Sequence, residues 1–158
     1  MTEADRKFIS RAIELARIGV SENAGGPFGC VVVKNGEIVG EGNNRVTSTN
    51  DPTAHAEVIA IRNACEALGS FQLDGCTIYT SCEPCPMCLG AIYWARPEKV
   101  FYACTRMDAA AIDFDDDFIY QELEKANEER EMVMTNLMRD EAIKVFEEWA
   151  AKTDKVEY

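Results

Sequence analysis

Cations are scarce in this chain: 16 lysines and arginines face 28 aspartates and glutamates, for a net charge of −12. The deficit is uneven, because residues 1–107 carry 12 acids and 10 bases whereas 108–158 carry 16 acids and 6 bases. A protein that grips a polynucleotide sets lysine and arginine against phosphates, so this balance disfavours tRNA or DNA except at a local basic groove. Long apolar runs are also missing. No stretch nears the ~20 uncharged apolar residues of a membrane-spanning helix, and Glu3 and Asp5 stand where a secretion signal would lead into an apolar block. The expectations are no nucleic acid, no membrane, and a cytoplasmic location. Histidine occurs once, as His55.

What is present fits one globular domain spanning 1–158, with 47% hydrophobic residues available for a core. The seven cysteines are an odd number, and Cys82, Cys85 and Cys88 crowd together at a spacing that suits a metal better than a secreted disulfide framework. Cys30, Cys65, Cys76 and Cys104 read as small buried hydrophobes.

Periodicity supplies the elements. Ile9, Ala12, Ile13, Ala16 and Val20 recur at helical spacing over 5–20. Phe28 to Val33 is a continuous apolar run and Ile38-Val39 a second, with Asn35-Gly36 between them as a two-residue hairpin signal. A helix is expected from Thr53 to Leu68, with Ile61, Ala64, Cys65 and Leu68 on one stripe and Gly69 as its stop. Cys76 to Thr80 and Lys99 to Ala103 read as strands separated by a helix from Glu83 to Ala95, which predicts a parallel pair joined by a right-handed crossover. The acidic remainder predicts helices at Asp116 to Lys125 and Asp140 to Ala151 and a strand at Met132 to Asn136. The sum is an α/β fold: a three-layer α/β/α sandwich around a mixed sheet of about five strands.

His55 and Glu57 fall at the start of one expected helix, and Cys85 and Cys88 at the start of another. Two cysteines three apart in a first helical turn point the same way, and the helix N-terminus favours their thiolates. With the neutral nitrogen of His55 they make three ligands for Zn²⁺, leaving a fourth position for a water whose pKa the ion lowers toward ~7. Glu57 lies close enough to shuttle that water's proton. An alternative stays open: Cys82 makes a second C-x-x-C with Cys85, and a closed Cys₃His site would be structural and catalyse nothing.

Several segments carry a resemblance that spans nearly the whole chain. They are Gly25-Gly26-Pro27-Phe28-Gly29, Asn43-Asn44, the run from Asn50 to Glu57, Thr80 to Cys88, Gly90 to Pro97, Phe114 to Tyr120, and the terminal Glu157-Tyr158. Together they resemble the cytidine and deoxycytidylate deaminase superfamily and, within it, the small bacterial guanine deaminases. That resemblance implies one zinc ion held by His55, Cys85 and Cys88, with Glu57 and Asp116 as catalytic groups. It implies hydrolysis of a purine base, guanine, to xanthine and ammonia. It also implies that Phe28 stacks on the purine, the Asn44 amide bonds its polar edge, the backbone at Ala56 lies close to the ring, and Trp94 helps wall the pocket. Tyr158 would seal a neighbour's pocket through a C-terminal segment, 131–158, exchanged between the subunits of a homodimer.

Each assignment has a plainer counterpart. Phe28 opens an apolar strand and suits a core; Asn44 suits a turn; Trp94 suits helix packing. Asp115 to Asp117 suits a solvated helix start, with Asp115 as an alternative to Asp116 at the substrate, and Tyr158 suits an exposed tail. Guanosine, cytosine or a tRNA adenosine as substrate, or a non-catalytic zinc-stabilised interaction module, are the competing functions.

Overall fold

Local capping and turn chemistry account for much of what forms. In the computed structural model, which describes residues 2–114 and 116–158, helix α1 (Glu3–Ser21) opens on a capping box: the Thr2 hydroxyl accepts the Asp5 N–H while the Asp5 carboxylate accepts the Thr2 N–H. Strand β1 (Gly29–Lys34) turns through Asn35 and Gly36, both at positive φ, into antiparallel β2 (Glu37–Asn43), the hairpin that the pair implies. A short α2 (Val46–Thr49) leads to α3 (Ala56–Leu68), which ends on Gly69 in the left-handed region. Strand β3 (Cys76–Cys82), helix α4 (Pro86–Ala95) and strand β4 (Lys99–Cys104) follow, with β3 and β4 parallel. After them come α5 (Arg106–Ala110), α6 (Asp117–Glu124), a 3₁₀ turn at Asn127–Glu129 and α7 (Arg139–Ala151).

The sheet order is β2-β1-β3-β4, with β1 antiparallel to both neighbours. On one face, Phe8 and Leu15 of α1 pack with Val31, Val33 and Tyr79; on the other, Ala56, Ala60 and Ala64 of α3 and Ile92 and Ala95 of α4 pack with Cys30, Val32 and Ile78. Helices thus cover both faces of a mixed sheet, and β1 is buried on both sides, as its unbroken apolar run requires.

Four details differ from the sequence reading. The described residues form four strands, not five: Met132 to Asn136 is irregular, because a short β-prone run becomes a strand only where a ladder partner meets it. The buried stripe of α1 is Phe8, Ala12, Leu15, Ala16 and Gly19, while Ile13 and Val20 are exposed; Phe8 and Leu15 pack on Val31, Val33 and Tyr79 of the sheet. Helix α4 starts at Pro86, because Pro84 and Pro86 keep the preceding residues extended. Cys104 is exposed, since β4 is the outer strand, whereas Cys30 and Cys76 are buried and Cys65 is half-buried.

Contacts divide the chain into two compact units, Met1–Asp117 and Phe118–Tyr158. The second holds nearly all of α6 and the whole of α7, whose Val145, Phe146 and Trp149 are exposed and which buries no residue. No described helix is long and apolar enough to cross a membrane.

Candidate metal centre and substrate cavity

Two helix N-termini build the centre. His55 is the N-cap residue of α3 and Cys85 the N-cap residue of α4, with Cys88 one turn in. Pro86 at the first position of α4 has no N–H to leave unsatisfied and its fixed φ starts the turn that carries Cys88 back beside Cys85. His55 Nδ1 lies 3.5 Å from Cys85 Sγ and 3.5 Å from Cys88 Sγ. The three ligand atoms all lie within 4.8 Å of one another.

These separations fit a tetrahedral ion. Zinc bonds of ~2.0 Å to nitrogen and ~2.3 Å to sulfur at a tetrahedral angle separate the two ligand atoms by about 3.5 Å. The electrostatics fit as well. Cys85 is pulled down to about 4, first by the hydrogen bond from Cys88 and then by His55. Cys88 is pushed up by that same pairing and by burial, and a bound divalent cation would favour the thiolate at both positions.

Cys82 does not belong to this group. It ends strand β3 rather than lying in the following loop, and its Sγ faces the Thr105 carbonyl at 3.5 Å. Burial, then Cys104, push its thiol up to about 11. Among the described residues the group able to hold a metal ion is His55, Cys85 and Cys88, which would leave one tetrahedral position without a protein side chain.

Glu57, in the first turn of α3, is 5% exposed. Burial raises its carboxyl above the usual range. Oε1 accepts the Thr80 hydroxyl at 3.1 Å, and Oε2 lies 3.4 Å from Cys88 Sγ.

His55, Glu57 and Cys85 open onto a cavity of about 770 Å³ that is also lined by Phe28, Asn44 and Asp116. The Asn44 side chain is oriented by its neighbours: Oδ1 accepts the Gly26 N–H at 3.1 Å and the Val46 N–H at 3.2 Å, which leaves the amide nitrogen as the donor. Asp116 is close enough to His55 for its charge to favour the protonated imidazole, though less than Cys85 does. Asp115 lies outside the described residues. Ala56 is fully buried as the first residue of α3. Trp94 is 64% exposed and outside this lining, because α4 turns Cys88, Ile92 and Ala95 inward. Tyr158 is 69% exposed in the second unit.

Sequence reasoning missed several residues here. Phe114 meets Phe28 edge-on, with centroids 5.0 Å apart and planes at 89°, and both line the cavity. Glu83 and Arg106 line it too, and the Glu83 carboxylate accepts the Arg106 N–H at 3.0 Å, fixing the start of α5. Phe114 sits one residue from the acidic run and could have been singled out as an aromatic beside it; nothing in the sequence marks Arg106.

A His-Cys-Cys group at two facing helix ends, with a buried carboxylate beside it on an α/β/α sheet, defines a zinc-site deaminase fold. Residues 2–104 match the cytidine and deoxycytidylate deaminase zinc-binding region, and the chain belongs to that family. It is 56% identical over 151 residues to the guanine deaminase of Bacillus subtilis (strain 168), covering 96% of this chain and 97% of that one. The X-ray structure of the Bacillus subtilis guanine deaminase superposes with a TM-score of 0.95 at 54% identity, over 100% of this chain and 99% of that one. A tRNA-specific adenosine deaminase from Aquifex aeolicus (strain VF5) is 46% identical over 77 residues, 49% of this chain and 51% of the relative.

Proposed function

We propose that this protein is a guanine deaminase that converts guanine and water to xanthine and ammonia. The observation that carries the reading is the buried Glu57 carboxylate beside a three-ligand metal group, opening onto a cavity whose Asn44 offers a donor. Similarity to guanine deaminases along the full chain, against half-chain similarity to the tRNA enzyme, selects the substrate. A donor at Asn44 is compatible with guanine, which presents acceptors at O6 and N7.

His55, Cys85 and Cys88 hold the ion. Bound zinc supplies Lewis-acid activation of water near neutral pH. Glu57 takes one proton from the attacking water and passes it to a ring nitrogen, then takes the remaining proton of the hydroxyl added at C2 and gives it to the departing amine, which leaves as ammonia while that oxygen becomes the carbonyl. Phe28 stacks on the purine with Phe114 at its edge, the Ala56 backbone lies against the ring, and Asp116 engages the N1 and amino side. Attack at C2 builds negative charge on the ring, which a dry, closed site tolerates better than an open one.

Closure comes from a second subunit in this reading. The chain is one deaminase domain whose segment 131–158 is exchanged in a homodimer, bringing Tyr158 over the partner's cavity. The exposed apolar residues of α7, Val145, Phe146 and Trp149, support this. Seven free thiols support a cytoplasmic home.

The test is ammonia release from guanine, guanosine, cytosine and adenine, each assayed separately with the zinc-loaded protein. Guanine is the expected substrate, and release from guanosine or cytosine but not guanine would overturn the assignment. Glu57→Gln should keep its zinc while losing ~10²-fold or more in kcat.

A further inference from the structure

One buried contact of the centre is not part of the metal group and has no role in the reading above. Thr80, on β3, is fully buried and its hydroxyl sits 3.1 Å from Glu57 Oε1 and 3.5 Å from the Gly29 carbonyl. A hydroxyl has a single proton to donate. The carboxylate is both nearer and the stronger acceptor, so that proton goes to Glu57.

The consequence falls on the carboxylate's terminal torsion, which in glutamate is broad and roughly two-fold and therefore not set by rotamer preference. With Oε1 tied to β3, Oε2 is the oxygen turned toward the ligand group, where it accepts the Cys88 thiol at 3.4 Å; the Glu57 N–H also bonds the carboxylate, and Thr80 is the partner that reaches it from the sheet. We infer that Thr80 is a positioning residue for catalysis: its hydroxyl fixes the plane of the Glu57 carboxylate and reserves Oε2 for proton transfer. This rests on the deaminase reading for its kinetic consequence, though not for its structural one. A threonine that merely satisfied itself on the Gly29 carbonyl would be replaceable by valine, which has the same shape.

Thr80→Val and Thr80→Ser should be compared with wild type by zinc content, by kcat and KM on guanine per bound zinc, and by crystal structure. In T80V the expected outcome is full zinc, a kcat lowered about 10- to 100-fold as for other partners that orient a metal-site group, and a KM within about twofold. The Glu57 carboxylate should be rotated or split between two orientations in T80V. T80S, which keeps the hydroxyl, should remain near wild type on every measure. Wild-type kcat with an unrotated carboxylate in T80V would overturn the inference, as would a T80S variant as impaired as T80V. If the wild type released no ammonia from any base, the guanine reading would fail separately, and the carboxylate orientation in T80V would still decide the role of Thr80.

Discussion

Gly42→Ala tests how the fold aims its metal ligands. Helix α3 lies directly on the backbone of β2, and a Cβ at Gly42 would stand 2.4 Å from the Ala56 carbonyl oxygen, 2.8 Å from the Ala60 nitrogen and 2.9 Å from the Ile59 Cβ. The first of these is about 1 Å short of an ordinary contact, and it is made with backbone that cannot rotate away. Ala56 sits between His55 and Glu57, so the displacement falls on the turn that carries a ligand and the carboxylate. Overpacking of this kind costs ~1–3 kcal/mol. Metal-ligand distances tolerate only ~0.2 Å, so a shift of that size costs zinc affinity as well as stability. Gly40→Ala is the control: its Cβ would meet the Ala60 carbonyl at 2.4 Å and the Ala64 nitrogen at 2.6 Å, an equal clash one turn further from the site. Urea unfolding should show both variants destabilised, while competition against a chelator should show G42A losing zinc more readily than G40A. A G42A protein with unchanged unfolding midpoint and zinc retention, or a G40A protein that loses zinc more readily, would refute the reasoning.

Cys82→Ser should keep one zinc per chain and near-normal turnover, whereas Cys85→Ser and Cys88→Ser should lose the metal; metal analysis after dialysis distinguishes them. Alkaline stability depends on Tyr79, whose phenol donates to Asp5 at 2.8 Å and is pushed up to about 12 by burial and then by that bond. A raised folded pKa means the contribution is whole below the ordinary tyrosine value and is lost as pH rises from ~10 toward 12. Tyr79→Phe should flatten the fall in unfolding free energy across that window, and an unchanged slope would count against the bond. Removing residues 154–158 should lower kcat on guanine at least ~10-fold while leaving the thermal midpoint within a few degrees; equal turnover would remove the capping role.

Much of this molecule was legible before any coordinates. The Asn35-Gly36 hairpin, the strand–helix–strand unit and the Cys85–Cys88 pair follow from residue spacing of two to four, where backbone geometry alone decides which side chains meet. His55 was legible as a partner because it is the only histidine and stands at a helix start two residues from a glutamate. The open coordination position was expected too, but the second C-x-x-C kept a closed Cys₃His site as an alternative, and the exclusion of Cys82 was not legible. It depends on Cys82 ending β3 with its sulfur against Thr105, a pairing 23 residues apart that C-x-x-C spacing cannot express. The expected strand at Met132 to Asn136 failed for a related reason, since alternation proposes a strand and only a neighbouring strand completes it.

By itself the sequence determined the local elements, the residue types that can hold zinc, and the net negative charge. Tertiary structure decided between the open site and the closed Cys₃His alternative, and it alone decided which aromatic faces Phe28 and which oxygen of Glu57 is tied to Thr80. The physical reason is common to all three: each is a contact between segments distant in the chain, which residue spacing cannot express.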